Sequence, residues 1–317
     1  MEEIGGYFEL ELQKTSNQLF DTNAVFVNSG RNALEYILKS LPTIGVLWVP
    51  YYTCSSLLEP LSRLHVEVKY YHITAELEIR NLDSITLEPN DYLLYTNYFG
   101  VKNKYTDFLQ SKYPINLIVD NSQALFYPPS RLCFYSPRKY VGIPDGGVAF
   151  SPYQFNVVEQ DKLSYLRCSH LLKRYDYLAS DGYADFKNNG LLIANQSLKR
   201  MSNLTRSLME SINYEEIRKK RNDNFEYLHA HLKEFNQLTI DLNLISGPLV
   251  YPFLFKNKLL RKKLIDNKVY IPTYWPNIMK SVDKESVESY LSQNILPLPI
   301  DQRYSEINLN RILSFIE

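Results

Sequence analysis

Short apolar runs recur through the first half of the chain, spaced widely enough to leave room for a helix between them. Ala24-Val25-Phe26-Val27, Gly45-Val46-Leu47-Trp48-Val49-Pro50, Asp91-Tyr92-Leu93-Leu94-Tyr95-Thr96 and Leu117-Ile118-Val119 are nearly free of polar positions. Runs this short, rich in β-branched and aromatic residues, predict strands buried on both faces, as in a parallel sheet. Val66-Glu67-Val68-Lys69-Tyr70-Tyr71 alternates instead, and Leu132-Cys133-Phe134-Tyr135 adds another strand. The stretches Ala33–Leu38 and Ser55–Leu64 read as helices. Alternation of strand and helix over residues 20–150 predicts an α/β fold, a mostly parallel sheet with helices on both faces.

Beyond Gly147 the strand pattern fades. Residues 153–234 are predicted mostly helical, with few breakers and many charges. From about residue 206 the pattern is that of a smaller α/β unit, with a long helix, an apolar run at Leu249–Phe255, a helix through Asp266 and a closing run at Asn294–Ile300. The expected division is a large α/β domain over 1–205 and a small C-terminal α/β domain over 206–317.

Composition removes several function classes. Lysine plus arginine and aspartate plus glutamate number 35 each among 317 residues, so the chain carries no basic excess of the kind a nucleic-acid partner requires. The basic run Arg218-Lys219-Lys220-Arg221 sits among Glu215, Glu216, Asp223 and Glu226, the pattern of a solvated helix face. Cys54, Cys133 and Cys168 are widely spaced and odd in number, which supports neither a disulfide framework nor a zinc site. No apolar run has membrane-spanning length and the acidic Met1-Glu2-Glu3 start is unlike a signal peptide, so a cytoplasmic location is expected.

The candidate chemistry lies between Asn116 and Gly147. Asp120 ends one predicted strand, and Ser136-Pro137-Arg138-Lys139 follows the next. Ligands in open α/β sheets sit beyond the carboxyl ends of strands, where both groups emerge. An amine to hold an aldehyde and an acid to keep a ring nitrogen protonated are what pyridoxal phosphate requires of its protein. A neighbouring cation such as Arg138 lowers a lysine's pKa and frees its amine. On residue types alone, a solvated Arg138-Lys139 loop pair and an N-capping Asp120 stand beside that reading. Near the N-terminus, Asn28-Ser29-Gly30-Arg31-Asn32 separates a strand from a helix. That arrangement aims a helix dipole at a phosphate, and Ser29 and Asn32 are equally ordinary helix caps.

Asp120, Gln123, Lys139 and the Asp145-Gly146-Gly147 turn together resemble the DegT/StrS family of pyridoxal-phosphate-dependent sugar aminotransferases. The resemblance extends over most of the chain and implies the aspartate-aminotransferase fold, known as fold type I. It implies that Lys139 carries the cofactor aldehyde as an imine, that Asp120 pairs with the pyridine nitrogen and that Gln123 lies near the ring hydroxyl. Ser29, Gly30, Arg31 and Asn32 align with the segment that cradles the phosphate, with Ser136 as a further donor. It further implies a keto-sugar acceptor linked to a nucleotide, an amino-acid donor, a role in polysaccharide or sugar biosynthesis, and a homodimer.

The chain departs from the family pattern at three of these positions. Arg31 replaces a threonine in the phosphate segment, and a guanidinium can bind phosphate bidentately. The position that stacks on the cofactor ring falls on Cys54, with Tyr52 as the nearby substitute. The residue expected to reach a neighbouring subunit's phosphate is Leu198. These departures, with the short C-terminal half, motivate an alternative: a relative that keeps the fold and serves a binding or regulatory role. Relatives that dehydrate sugars carry histidine in place of the lysine, and Lys139 argues against that branch.

Overall fold

The computed structural model describes residues 4–15 and 18–316; the acidic Met1-Glu2-Glu3 start lies outside the described residues. A seven-stranded sheet forms the centre. Its strands are β1 (Val25–Val27), β2 (Val46–Pro50), β3 (Glu67–Tyr71), β4 (Tyr92–Thr96), β5 (Leu117–Asp120), β6 (Cys133–Tyr135) and β7 (Gly147–Phe150). They lie in the order β1-β7-β6-β5-β4-β2-β3. All pairings are parallel except those of β7, which runs against both β1 and β6.

The sheet follows from the doubly apolar strands. Tyr92 and Leu94 of β4, Ile118 of β5, Phe134 of β6 and Ala149 of β7 join one core, beneath α1 (Gly30–Ser40) and α2 (Ser55–Arg63). The intervening residues Leu93, Tyr95, Leu117, Val119, Cys133, Tyr135, Val148 and Phe150 point into a second core on the opposite face. Each of the buried leucine, valine and phenylalanine side chains among them contributes about 1.5–3 kcal/mol on leaving water. The alternation therefore holds the register, since a slip by one residue would exchange the two faces.

The helix α3 (Asn103–Lys112) precedes β5, and after β7 the chain runs through α4 (Ser169–Asp176), α5 (Tyr183–Ile193), α6 (Asn203–Glu210) and α7 (Tyr214–Leu232). The helical expectation for 153–234 is met only in part. Residues 196–202 run without helix and zip onto β1, with Met201 N–H donating to Phe26 O at 3.0 Å and Asn28 N–H to Lys199 O at 3.0 Å. Asn195, at φ 58°, takes the left-handed conformation just past the end of α5. Without this segment β1 would leave its outer edge unpaired, and backbone groups buried there need partners.

The remainder packs under the second core. Strand β8 (Tyr251–Leu254) and β9 (Ile295–Leu298) pair antiparallel. They are accompanied by α8 (Lys258–Asp266), α9 (Ile278–Ser281), α10 (Val287–Asn294) and α11 (Glu306–Leu313). The expected boundary at 205/206 falls inside α6. No helix among the described residues is long and apolar enough to cross a membrane.

Candidate active site

Asp120 stands at the carboxyl end of β5, opposite Thr96 at the end of β4. Its side chain is buried. Oδ1 accepts from Ser122 N–H at 2.8 Å, and Oδ2 accepts from the Thr96 hydroxyl at 3.4 Å. Lys139 closes a single 3₁₀ turn, Pro137–Lys139, that follows β6; proline pre-sets its first residue, and Tyr140 N–H returns to Pro137 O at 2.8 Å. The Lys139 ammonium donates to Ser122 Oγ at 2.8 Å. Ser122 therefore touches the amine through its hydroxyl and the acid through its backbone, so the two groups far apart in sequence meet at one place.

The lysine side chain is exposed to solvent, with its amine set among Ser122, Asp120, Cys54 and Arg138. Loss of surrounding water lowers its pKa, and the adjacent Arg138 charge lowers it further. Asp120 and Cys54 pull in the opposite direction. The net shift is downward, which makes the neutral nucleophilic amine available at a lower pH. Gln123, two residues beyond Asn121, is fully buried. Its Oε1 accepts from Phe99 N–H at 2.7 Å, whereas its Nε2 has no acceptor among the described residues. A buried amide donor left unpaired costs about 1–3 kcal/mol, and such a group is commonly completed by a ligand or water.

The start of α1 faces the same region. Ser29 is its N-cap, with Oγ accepting from Asn32 N–H at 3.2 Å. Close packing brings the turn after β6 against it, because a Cβ on Gly30 would stand 2.9 Å from Ser136 Cβ and 3.0 Å from its Oγ. Gly147 lets β7 pass the same cap, as a Cβ there would lie 2.2 Å from Ser29 O. Gly147→Ala is therefore expected to force β7 and the Ser29 turn apart, at a cost of about 1–3 kcal/mol. An unchanged urea midpoint would show that the two segments yield more easily than their packing implies.

Behind the cap lies an ion cluster that the residue pattern alone did not reveal. Arg167, 3% exposed, places Nε 2.8 Å from Asp145 Oδ2, a close charge contact without hydrogen-bond alignment, and its Nη2 donates to Asp161. The Thr205 hydroxyl donates to Asp145 Oδ1 at 2.6 Å. Burial pushes the Asp145 carboxyl up, against the pull of Thr205 and Arg167. The cluster ties the Asp145-Gly146-Gly147 turn to α6 and thereby holds the start of α1.

Several residues singled out in the sequence are engaged elsewhere. The Arg31 guanidinium is held by Glu59 and by Ser56 Oγ. The Asn32 side chain is buried and donates to Gln196 O at 3.0 Å. Tyr52 is fully buried, packs against Tyr98 and Trp275, and donates its hydroxyl to Tyr274 O at 2.9 Å. Cys54, half-buried at the N-cap of α2, lies close enough to Lys139 to act on its charge. Leu198 packs at the margin of the first core. Ser122 and Thr96 are the site residues that sequence reasoning missed; only their adjacency to Asp120, in chain or in register, signals them. No group of potential metal ligands occurs among the described residues.

No family model and no curated protein matches the chain. Solved structures do share its fold. The Streptococcus pneumoniae protein Spr1654, a putative sugar aminotransferase in its PMP form, superposes with a TM-score of 0.66 at 15% identity, covering 92% of this chain and 85% of its own. A DegT DnrJ EryC1 StrS aminotransferase from Brucella abortus gives 0.62 at 14% identity, covering 92% and 84%. DesI, solved in the presence of its TDP-sugar product, gives 0.63 at 12% identity, covering 92% and 79%. The chain thus has the fold of these aminotransferases, the mostly parallel architecture expected from its pattern.

Proposed function

We propose that the chain is a pyridoxal 5'-phosphate-dependent aminotransferase of the DegT/StrS type, moving an amino group from an amino-acid donor to a keto-sugar. The observation that carries this reading is the convergence of Lys139 and Asp120 on Ser122 at the carboxyl ends of adjacent strands. The residues fit the cofactor. Gln123 Nε2 is a buried donor without an acceptor, and the Gly30–Ser136 contact keeps a small-residue cradle at the start of α1. When bound, the cofactor supplies an aldehyde to hold amines and a ring to accept electrons.

The chain's own residues divide the remaining work. Unprotonated Lys139 would hold the cofactor's aldehyde carbon, and its free Nζ would be the group that takes and returns a proton at the reacting carbon. Ser122 Oγ holds that amine in place. Asp120, itself oriented by Ser122 N–H and Thr96, keeps a proton on the ring nitrogen. Ser29, Gly30 and Ser136 seat the phosphate. Cys54, at the position that the family resemblance assigns to the ring's face, would lie against the ring, with Arg31, Asn32 and Tyr52 supporting the surrounding elements. We read 206–317 as the smaller lobe that closes the cleft.

The nucleotide-linked sugar is supported by the TDP-sugar complex of DesI, and a role in polysaccharide or related sugar biosynthesis follows from that acceptor. A homodimer is supported by the apolar surface of 165–191, where Tyr165, Leu172, Tyr175, Leu178 and Leu191 are each more than half exposed.

Purified protein saturated with pyridoxal phosphate is expected to show a visible band that decays when glutamate is added, as the cofactor takes up the amino group. A band that persists with every amino donor would favour the binding or regulatory alternative. The lowered pKa of Lys139 carries its own prediction. Because burial disfavours the ammonium, capture of the aldehyde should be half-maximal below the ordinary lysine value of 10.5. A pH titration of the visible band that follows a free lysine amine would contradict the site as drawn.

A further inference from the structure

We infer that Arg138 is the charged anchor for the phosphate of the aldehyde cofactor, gripping it beside the start of α1; this rests on the function proposed above. Arg138 lies within electrostatic reach of two other guanidinium groups, those of Arg31 in the first turn of α1 and of Arg167. Arg31 is neutralised by Glu59 and Arg167 by Asp145 and Asp161. Arg138 is half-buried, and no hydrogen bond or ion pair is formed by it among the described residues. The opposing charge that acts on it is Asp145, which Arg167 and Thr205 already engage.

A solvated surface arginine would be the ordinary explanation of a guanidinium without a partner. Its surroundings argue otherwise, because burial is the leading influence on Arg138 and the charges of Arg31 and Arg167 add to it. Its charge also acts on Lys139 and on His170. A desolvated cation among cations is unfavourable unless an anion completes it. The helix dipole of α1 favours negative charge at the same place. Ser136, the cap of the turn that carries Arg138, touches Gly30 at that helix start. A phosphate monoester on a ring whose aldehyde lies at the next residue, Lys139, meets all of these requirements, and a guanidinium fork can bind two of its oxygens at once.

The test compares pyridoxal phosphate with pyridoxal, which keeps the aldehyde and lacks the phosphate. Capture is read as the visible band and as mass added after borohydride reduction, in wild type, R138Q and R138K. Wild type should bind pyridoxal phosphate far more tightly than pyridoxal. R138Q should weaken the phosphate form about tenfold or more beyond its effect on pyridoxal, whose capture changes only through the Lys139 amine, since a charge-assisted fork is lost. R138K keeps the packing and the charge without the fork, and should recover part of the loss. Equal weakening of both aldehydes in R138Q would show that Arg138 acts only on the Lys139 amine and would overturn the inference. So would an unchanged preference for the phosphate form. Wild type that captures neither aldehyde overturns the proposed function along with it, whereas capture of both without preference removes the phosphate seat and leaves Lys139 as an aldehyde site.

Discussion

Lys139→Ala is expected to bind no cofactor covalently and to lose transfer activity by a factor on the order of 10²–10⁴, the usual contribution of one positioned proton carrier. The effect should be large because the lysine combines two tasks that no neighbour can assume. Arg138 beside it cannot give up its proton at ordinary pH. Ser122, the group that holds the amine at 2.8 Å, has no comparable basicity. The variant should fold normally, since the lysine side chain is exposed and the buried Asp120 carboxylate keeps its bonds from Ser122 N–H and the Thr96 hydroxyl. Ser122→Ala gives a contrasting outcome, with the amine retained but less firmly positioned, so covalent capture should persist with reduced turnover. Full activity in Lys139→Ala, measured as transfer from glutamate to a nucleotide keto-sugar, would remove the lysine from the chemistry.

The second large effect is on stability. Arg167→Ala deletes the cation that balances Asp145 and Asp161, leaving two buried carboxylates facing each other with Thr205 as the remaining donor to Asp145. Breaking a buried ion pair in this way costs about 3–5 kcal/mol. The loss should not be spread evenly. The Gly146–Gly147 turn, the cap of α1 and α6 all meet at this cluster, so the cofactor cleft should loosen before the rest of the sheet. A urea titration should show a lower midpoint, and hydrogen exchange should rise first in residues 28–36 and 144–149. A midpoint unchanged from wild type would mean that the cluster is incidental to the cleft.

Much of the sheet was legible because its strands are buried on both faces. Tyr92–Thr96 and Leu117–Asp120 announce themselves by apolar continuity, a purely local signal that needs no knowledge of partners. The Asp120–Lys139 pairing was legible for a related reason: both residues follow such strands, and parallel neighbours deliver their carboxyl ends to one side. Other features depend on contacts distant in sequence. Residues 196–202 have helical composition, yet the open edge of β1 claims them, and tertiary pairing outweighs propensity. Tyr51 and Tyr52 look alike in sequence, but one stacks on Tyr70 at the sheet edge and the other disappears into the core beneath Trp275. Arg31 was read as a phosphate ligand, whereas Glu59 on α2, 28 residues away, holds its guanidinium. Arg138 reverses that case. An arginine beside a lysine looks like a solvated pair until the structure shows Asp145, the carboxylate acting on it, already engaged by Arg167 and Thr205.

The most direct test of the account is the identity of the lysine that captures the cofactor. Wild-type protein would be incubated with pyridoxal phosphate, reduced with borohydride, digested and mapped by mass spectrometry. The account predicts one cofactor adduct per chain, on Lys139, and its suppression in Lys139→Ala. An adduct scattered over exposed lysines such as Lys219 and Lys262, or no adduct at Lys139 under conditions that saturate the visible band, would contradict it.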